Sequence, residues 1–447
     1  MAFNIQPSNA TTQAYPVYSP IYYQTAITLA ATSTTTSITQ ARVKITLNGS
    51  TLTNPVTSQD VELIYTPTSI VANVSTFDID IHAILSDYMD NTRSIPSSFL
   101  NSTDIVEDCT NFYANIGINV EYYYIDNSTG YDVLTYSSTT DDTSNTIFVV
   151  DAIVQPNQYP QLGFILSGTQ PNYVTMADTM PFLTVAPDGL EVRANDRAFL
   201  SFISDETARS SAVVQVIWTN KNGVTQSGQY PAISEMASTD RKVVAIGVGP
   251  LQIETFSSDI GFGGGATFVA EDVATYNVRI LDTTGSSTPA GDYLTRARTY
   301  NLTTNSFLCG GSEDEATIRM HFLTELGACD SITLVGKLER RQEVKSKTVQ
   351  SARSSTFNFE DVSNRKYEQQ VVERYIFKGA EYFSNTELQW LRQLLASAFV
   401  TIDKTIDSIV YHVPVVIKDK KQIVFDTEED NNLQFEYTLN YNLQTRR

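Results

Sequence analysis

The sequence is poor in the residues from which catalytic and metal sites are usually built. Its 447 residues include only three cysteines, three histidines and two tryptophans. Cys109, Cys309 and Cys329 show no Cys-x-x-Cys spacing, so they indicate neither a zinc site nor a disulfide framework, and we expect buried, reduced thiols. Gly-x-Ser-x-Gly and His-Glu-x-x-His motifs are also absent. We therefore predict a protein that is not an enzyme and has no cofactor and no bound metal.

Cationic residues are scarce and unevenly placed. The chain has 30 Lys and Arg against 50 Asp and Glu, a net charge of −20. Between Met1 and Leu190 the only cationic residues are Arg42, Lys44 and Arg93, whereas the last hundred or so residues nearly balance. Phosphate groups attract clustered cations, so this charge argues against nucleic-acid partners and disfavours anionic membrane surfaces. The asymmetry suggests that the two ends meet different neighbours.

Long apolar runs are missing too. No stretch approaches the roughly 18 apolar residues of a membrane-spanning helix. The N-terminal stretch MAFNIQPSNATTQAYP lacks the basic patch and apolar core of a signal peptide. We therefore expect a soluble protein that is made in the cytosol.

The sequence does contain one β-strand pattern after another. Only 18% of residues are charged, and the polar remainder is dominated by Thr, Ser, Asn and Gln, which favours strands joined by many turns. In residues 1–187, ARVKITLNGSTLTN alternates around Asn48-Gly49, the preferred dipeptide of a tight hairpin turn. We predict an antiparallel β-sandwich over this region, with one short helix at HAILSDYM.

A second antiparallel sandwich, of immunoglobulin-like size, is predicted for residues 188–329. AVVQVIWTNKNGVTQSGQY again contains a hairpin signal at Asn222-Gly223. Trp218 alternates with Val214 and Val216 on one face and is predicted to anchor the core.

Residues 330–447 differ in kind and are predicted to form an α+β domain with one main helix. In SNTELQWLRQLLASAF, Ser384 and Glu387 match a capping box at a helix start. One apolar helical stripe follows, formed by Leu388, Leu391, Leu395 and Ala398. The fold class predicted for the chain is therefore mainly β and multidomain.

Two stretches contain residues that could form a metal or dinucleotide site but could also serve only the fold. Asp78, Asp80 and His82 occupy alternate positions, so on one strand their side chains would point to the same face and could bind a metal. Alternatively, the strand ends at Asp80, and Asp80 caps the following helix. We favour the cap. GFGGGA from Gly261 fits a loose dinucleotide fingerprint, but strand-like residues follow it, so a glycine loop between strands is favoured. His412 is predicted to be a satisfied residue within a strand.

A cationic segment near the C-terminal third is the strongest candidate for a functional surface. If residues 337–347 form an extended strand, every second side chain points to the same face, and the charged side chains among them form a ladder. Its cations are Lys337, Arg341, Lys345 and Lys347. We hypothesise that this ladder docks onto carboxylates of a neighbouring subunit. The alternative is a solvated hairpin with intrachain ion pairs, each contributing at most about 1 kcal/mol.

Three stretches together resemble tail-associated structural proteins of tailed bacteriophages infecting Bacteroidota. They are FLTVAPDGLEVRANDRAFLSFI, IRMHFLTELGACDSITLVGKLERRQEVKS, and ERYIFKGAEYFSNTELQWLRQLLAS followed by YHVPVVIKD. Such proteins usually have an Asn-x-x-Gly-Gly-x-Asp core in the middle stretch, where this chain reads Thr324-Glu325-Leu326-Gly327-Ala328-Cys329-Asp330. The resemblance covers roughly residues 180–420.

The resemblance implies a virion component at the tail, baseplate or collar, made in the host cytoplasm, and no catalytic residue. The expected partners are copies of the chain itself, as a homo-oligomeric ring, and other tail proteins. The alternative is a receptor- or glycan-binding tail module that uses the tyrosine clusters YSPIYYQ and EYYYID to bind a host surface glycan.

Overall fold

The computed structural model describes twenty stretches of the chain. They are residues 2–6, 14–17, 22–28, 35–47, 50–51, 62–71, 74–92, 105–126, 133–137, 147–152, 182–204, 209–237, 241–262, 266–282, 292–303, 315–350, 364–379, 385–406, 409–422 and 433–439.

The protein is mainly β and contains several sheets, as predicted. Three α-helices accompany the sheets in the described stretches: α1 (His82–Thr92), α2 (Pro250–Asp259) and α3 (Asn385–Ala396). The predictions of helices at HAILSDYM and at NTELQWLRQLLA are confirmed. Helix α2 was not predicted. Ala398, assigned to the apolar stripe of α3, lies beyond the helix end and is exposed.

Most N-terminal strands form two sheets. The strands are β1 (Ala2–Gln6), β2 (Ala14–Pro16), β3 (Tyr22–Thr28), β4 (Thr35–Leu47), β5 (Ser50–Thr51), β6 (Glu62–Tyr65), β7 (Ser69–Val71), β8 (Val74–Asp80), β9 (Val106–Asp108), β10 (Tyr113–Asp126), β11 (Val133–Ser137) and β12 (Ile147–Val150). One sheet has the order β1-β3-β8-β7; the other has the order β2-β12-β10-β4-β5, with β11 on β10 and β6 on β4. Strands β4 and β5 pair at Leu47↔Ser50, and Asn48-Gly49 between them lies outside the described residues.

Two further sheets form the middle of the chain. Their strands are β13 (Leu190–Val192), β14 (Phe199–Ile203), β15 (Ala212–Asn220), β16 (Thr225–Ala232), β17 (Val243–Gly247), β18 (Val273–Asp282), β19 (Asp292–Tyr293) and β20 (Arg298–Leu302). One sheet has the order β13-β20-β18-β15-β16, with β19 on β18, and the other has the order β14-β17-β9. Since β9 comes from the first predicted domain, the two regions share a sheet. The Asn222-Gly223 hairpin is confirmed, with Gly223 at φ 81°, and Trp218 is a buried core residue beside Phe262 and Phe268.

The C-terminal strands close into a six-stranded barrel. They are β21 (Glu315–Leu323), β22 (Cys329–Gln350), β23 (Asn364–Gly379), β24 (Val400–Ile406), β25 (Ile409–Gln422) and β26 (Leu433–Leu439), in the order β21-β22-β23-β26-β25-β24. Helix α3 packs its apolar side against the inward-facing barrel residues. The barrel includes β21, which lies before the predicted boundary at 329/330, because β21 and β22 pair as a hairpin at Leu323↔Cys329. The division into three domains stays a prediction.

One apolar cluster joins the three regions. It contains Phe148 from β12, Phe199 from β14 and Leu323 from β21, together with Cys109 and Cys329. Both cysteines are buried and free, as the sequence indicated. Cys309 lies outside the described residues. The barrel is therefore packed against the sheets that precede it.

The hairpin of β22 and β23 is longer than the barrel that contains it. Strand β21 pairs with β22 only as far as Lys337, and β26 pairs with β23 only between Arg374 and Lys378. Within the described stretches, residues 342–350 and 364–373 pair with each other and with no third strand. At a rise of about 3.3 Å per residue, this two-stranded ribbon is roughly 30 Å long. We call residues 342–350 and 364–373 the ribbon.

Candidate functional site

The outer face of the barrel meets the segment 182–204. Successive residues of a strand point to opposite faces, and the inward set of β21 lies in the barrel core: Ile318, Met320 and Phe322. Arg319 and His321 therefore point outward. The Arg319 Nη1 atom lies 3.7 Å from Asp196 Oδ2, and the His321 ring centroid lies 5.4 Å from that of Phe199. This face is buried by packing between the barrel and the preceding sheets.

Three neighbouring barrel strands bring two imidazoles and a carboxylate together on this face. The distance between His321 Nε2 and Asp403 Oδ1 is 3.0 Å, and that between His412 Nδ1 and the same oxygen is 2.6 Å. Asp403 and His412 are directly paired in the register of β24 and β25. On its other side, His321 Nδ1 lies 2.6 Å from Ser331 Oγ of β22. We call His321, Asp403 and His412 the His-Asp-His cluster.

Burial sets the charges in the cluster. Loss of solvent lowers the pKa of His321 to about 4, so this imidazole is neutral at pH 7. Burial alone would raise the pKa of the Asp403 carboxyl, but hydrogen bonds from His321 and His412 outweigh it and hold that pKa well below its usual range. Asp403 is thus an ionised carboxylate that accepts from two imidazoles.

The cluster is not fully satisfied by hydrogen bonds. The Nε2 atom of His412 is buried and has no hydrogen-bond partner within the part of the chain that the structure describes. The prediction that His412 lies in a strand is confirmed, but that of a satisfied side chain holds for only one of its two nitrogens. The three side chains offer ligand atoms that all lie within 4.8 Å of one another. Chemically, this arrangement can hold a cation or transfer a proton between imidazoles.

The alternating residues of the N-terminal region do not form a comparable group. Strand β8 ends at Asp80, and His82 begins α1, so the hypothesis that both lie on one strand face with Asp78 is wrong. Asp80 Oδ1 accepts a hydrogen bond of 3.1 Å from the backbone N–H of His82 and lies 2.9 Å from its ring Nδ1. The observed contacts agree with the capping alternative.

A second buried carboxylate lies where α3 meets the barrel. Asp330 Oδ2 accepts hydrogen bonds from Trp390 Nε1 at 2.8 Å and from Thr184 Oγ1 at 2.7 Å. Burial raises the pKa of Asp330 to about 6, although these hydrogen bonds and nearby Arg298 partly oppose the shift. A cavity with room for about one water molecule adjoins the carboxyl group. Asp330 connects three separate segments of the chain.

We expect the wild type to lose stability between about pH 4 and pH 6, where Asp330 ionises. Asp330→Asn should not show this loss. Because the folded-state pKa is raised, the folded chain holds a proton that the unfolded chain releases, so stability falls as pH rises through this window. The free energy of unfolding of the wild type, relative to the variant, should fall by about 2 kcal/mol between pH 4 and pH 7. Urea denaturation at both pH values measures this difference, and an unchanged difference would contradict the assignment.

The predicted cationic ladder lies along β22. Lys337 and Arg341 are exposed, and Arg341 Nε lies 2.8 Å from Glu339 Oε1, an intrachain ion pair of the kind the alternative expected. Lys345 and Lys347 lie in the ribbon, paired in register with Gln370 and Glu368. The strand thus brings all four cations to alternate positions of one element. Their role as an interface stays a prediction.

The glycine-rich stretch follows a helix and not a strand. Helix α2 ends at Asp259, and Gly261 adopts a left-handed conformation with φ 85°. Phe262 then packs in the core against Gly228, where a Cβ atom would lie 2.3 Å from the ring. The prediction that this loop connects two strands is therefore wrong on its N-terminal side, where helix α2 precedes it. Residues 263–265 lie outside the described stretches.

No family model matches the chain, and no curated protein matches it. None of the helices in the described part of the chain is both long enough and apolar enough to cross a membrane.

Proposed function

We propose that the protein is a non-enzymatic structural protein of a tailed bacteriophage, a ring-forming tail, baseplate or collar component that acts through protein–protein interfaces. The observation on which this proposal depends is the ribbon. A two-stranded hairpin is marginally stable alone in water, and both of its edges offer unpaired backbone groups to another chain. Within the described stretches, the ribbon pairs with no third strand. A binding partner would supply the missing contacts.

The three stretches that resemble phage tail proteins contact one another in the structure, which supports the proposal. Thr184, Asp330 and Trp390 come from the three separate stretches that show the resemblance, and they are joined by hydrogen bonds. The barrel and α3 contain most of the remaining residues of these stretches. The resemblance therefore belongs to a packed core that also holds the base of the ribbon.

The finer description of the fold is part of the proposal. We assign the first two regions as β-sandwiches, the second of immunoglobulin-like size, and the barrel with α3 as the C-terminal α+β assembly domain. The prediction of purely antiparallel sandwiches is wrong at two strand pairs, β2–β12 and β13–β20, which are parallel. Support for the second sandwich comes from its two sheets, β14-β17-β9 and the sheet containing β15 and β18, whose buried residues pack in a single apolar cluster.

Charge suggests how subunits meet. The first 190 residues have three cations against seventeen Asp and Glu, whereas the ribbon contains Lys345 and Lys347. In the ring, the ribbon of one subunit contacts carboxylates of the next or of an adjoining tail protein. Repeated heterologous contacts between identical subunits close a ring.

Lys345→Glu tests the charge contact. Lys345 is paired in register with neutral Gln370, so its reversal places no two like charges directly opposite each other, whereas Lys347→Glu would oppose Glu368. We expect Lys345→Glu to shift the protein from oligomer to monomer at moderate salt, while Lys345→Gln weakens assembly less. Size-exclusion chromatography with light scattering measures the mass. An oligomer that is unchanged in both variants would reject a role for Lys345.

A further inference from the structure

We propose that the His-Asp-His cluster binds one divalent transition-metal ion, with Zn²⁺ the best match to its donors. Two imidazole nitrogens and one carboxylate oxygen are the ligand types that Zn²⁺, Co²⁺ and Ni²⁺ accept in proteins. The donors come from adjacent strands of one barrel, β21, β24 and β25, whose hydrogen bonds fix their spacing. A metal here is structural, and the inference is independent of the proposed virion function.

The spacing of the donors is close to that of a metal site. Metal bonds of 2.0–2.1 Å in a tetrahedron place ligand atoms about 3.3 Å apart. The separations from Asp403 Oδ1 are 3.0 Å to His321 Nε2 and 2.6 Å to His412 Nδ1. These two separations must therefore widen by a few tenths of an ångström, and the two imidazole nitrogens, which lie within 4.8 Å of each other, must reach the same spacing for the ion to bind all three atoms.

The charge balance of the cluster favours a cation. The Asp403 side chain is mostly removed from water, and imidazole nitrogens lie 3.0 and 2.6 Å from its Oδ1 atom. The buried Nε2 atom of His412 has no hydrogen-bond partner among the described residues. This nitrogen is not one of the proposed ligand atoms, so the electrostatic case for a cation comes from the buried carboxylate alone. A divalent ion compensates the charge and gives the site a fourth position for water.

Ser331 is placed to orient one ligand. Without an ion, His321 donates to Asp403 from Nε2–H; with an ion bound, the neutral imidazole takes the other tautomer, in which Nδ1–H donates to Ser331 Oγ across the observed 2.6 Å separation and the Nε2 lone pair faces the ion. Metal-binding histidines commonly donate their second N–H in this way, and loss of such a partner lowers metal affinity about 10- to 100-fold. Ser331 is therefore a positioning residue, and it contacts no metal.

Cobalt titration of the full-length, chelator-treated protein tests the proposal. We expect one Co²⁺ per chain, with the visible absorption of a four- or five-coordinate ion that Zn²⁺ displaces. Asp403→Asn and His412→Gln should each lower the affinity at least tenfold, and Ser331→Ala should lower it about tenfold at unchanged stoichiometry. The matched control is His82→Gln, which alters a histidine paired with Asp80 and should bind Co²⁺ like the wild type.

Thermal unfolding of the wild type keeps the test independent of the variants' folding. Zn²⁺ should raise the Tm, and a chelator should reverse the rise, because an ion that binds only the folded chain stabilises it. Failure of Co²⁺ to bind at micromolar concentration would overturn the proposal. Equal affinity in the wild type, Asp403→Asn and His412→Gln would overturn it as well, as would a signal lost only in His82→Gln.

Discussion

Replacement of residues 343–372 by an Asn-Gly turn is expected to produce a folded monomer that no longer assembles. Gln342 and Glu373 are directly paired in the register, so a two-residue turn can join them with the favoured hairpin geometry. The pairs between β21 and β22 end at Lys337, and those between β23 and β26 begin at Arg374. The barrel thus keeps its hydrogen-bonded strands and loses only the segment that pairs with no described third strand.

Two measurements separate lost assembly from lost folding. Near-ultraviolet circular dichroism should retain the signal of Trp390 and its neighbours in the barrel core, because these residues lie outside the replaced segment. Light scattering should give the mass of one chain for the shortened protein and a multiple of it for the full chain. A shortened protein with the same oligomer mass as the full chain would show that the ribbon is not the assembly element.

Trp390→Ala is expected to cause the largest loss of stability among single substitutions in the C-terminal region. The Trp390 side chain is 1% exposed and packs in the barrel core, with its ring centroid 5.7 Å from that of Phe322. Removal of a buried aromatic side chain costs about 3–5 kcal/mol through lost burial and the cavity that remains. The substitution also removes the Nε1 donor of buried Asp330. Urea denaturation at pH 7 measures the change in the free energy of unfolding.

Trp390→Phe is the matched control, because it keeps an aromatic ring in the core but removes the Nε1 donor and part of the indole. We expect this variant to lose about 1–3 kcal/mol at pH 7, where Asp330 is ionised and its hydrogen bonds are charge-assisted. At pH 4 the loss should be smaller, because the raised pKa leaves the carboxyl group protonated. If Trp390→Ala and Trp390→Phe were equally destabilised by less than about 1 kcal/mol, Trp390 would not connect α3 to the barrel as described.

Local signals predicted local structure well. Asn222-Gly223 forces a left-handed turn residue between two alternating strands, so its hairpin follows from the dipeptide alone. The stripe of Leu388, Leu391 and Leu395 predicts α3 because only a helix places these residues on one side. Helix α2 gives a weaker signal, since it has little apolar periodicity. Its one clear mark is Pro250 at the first helical position.

Long-range contacts could not be predicted in the same way. His321 and Asp403 are separated by 82 positions, and their proximity depends on which strands become neighbours when the barrel closes. Strand alternation could have assigned each side chain to the outer face, but not to a shared site. Likewise, β9 joins the sheet of β14 and β17 through backbone pairing, which leaves no mark on the side-chain pattern. The sequence predicted the ribbon as an extended strand with alternating charges, with a solvated hairpin as the alternative.

The central claim is that the ribbon joins copies of this chain into a closed assembly. Negative-stain electron microscopy of the purified full-length protein tests it most directly, because the images reveal symmetry as well as size. The account predicts closed rings of identical subunits that disappear when residues 343–372 are replaced by Asn-Gly. Single, separate particles of the full chain at the concentrations where other ring proteins assemble would contradict it.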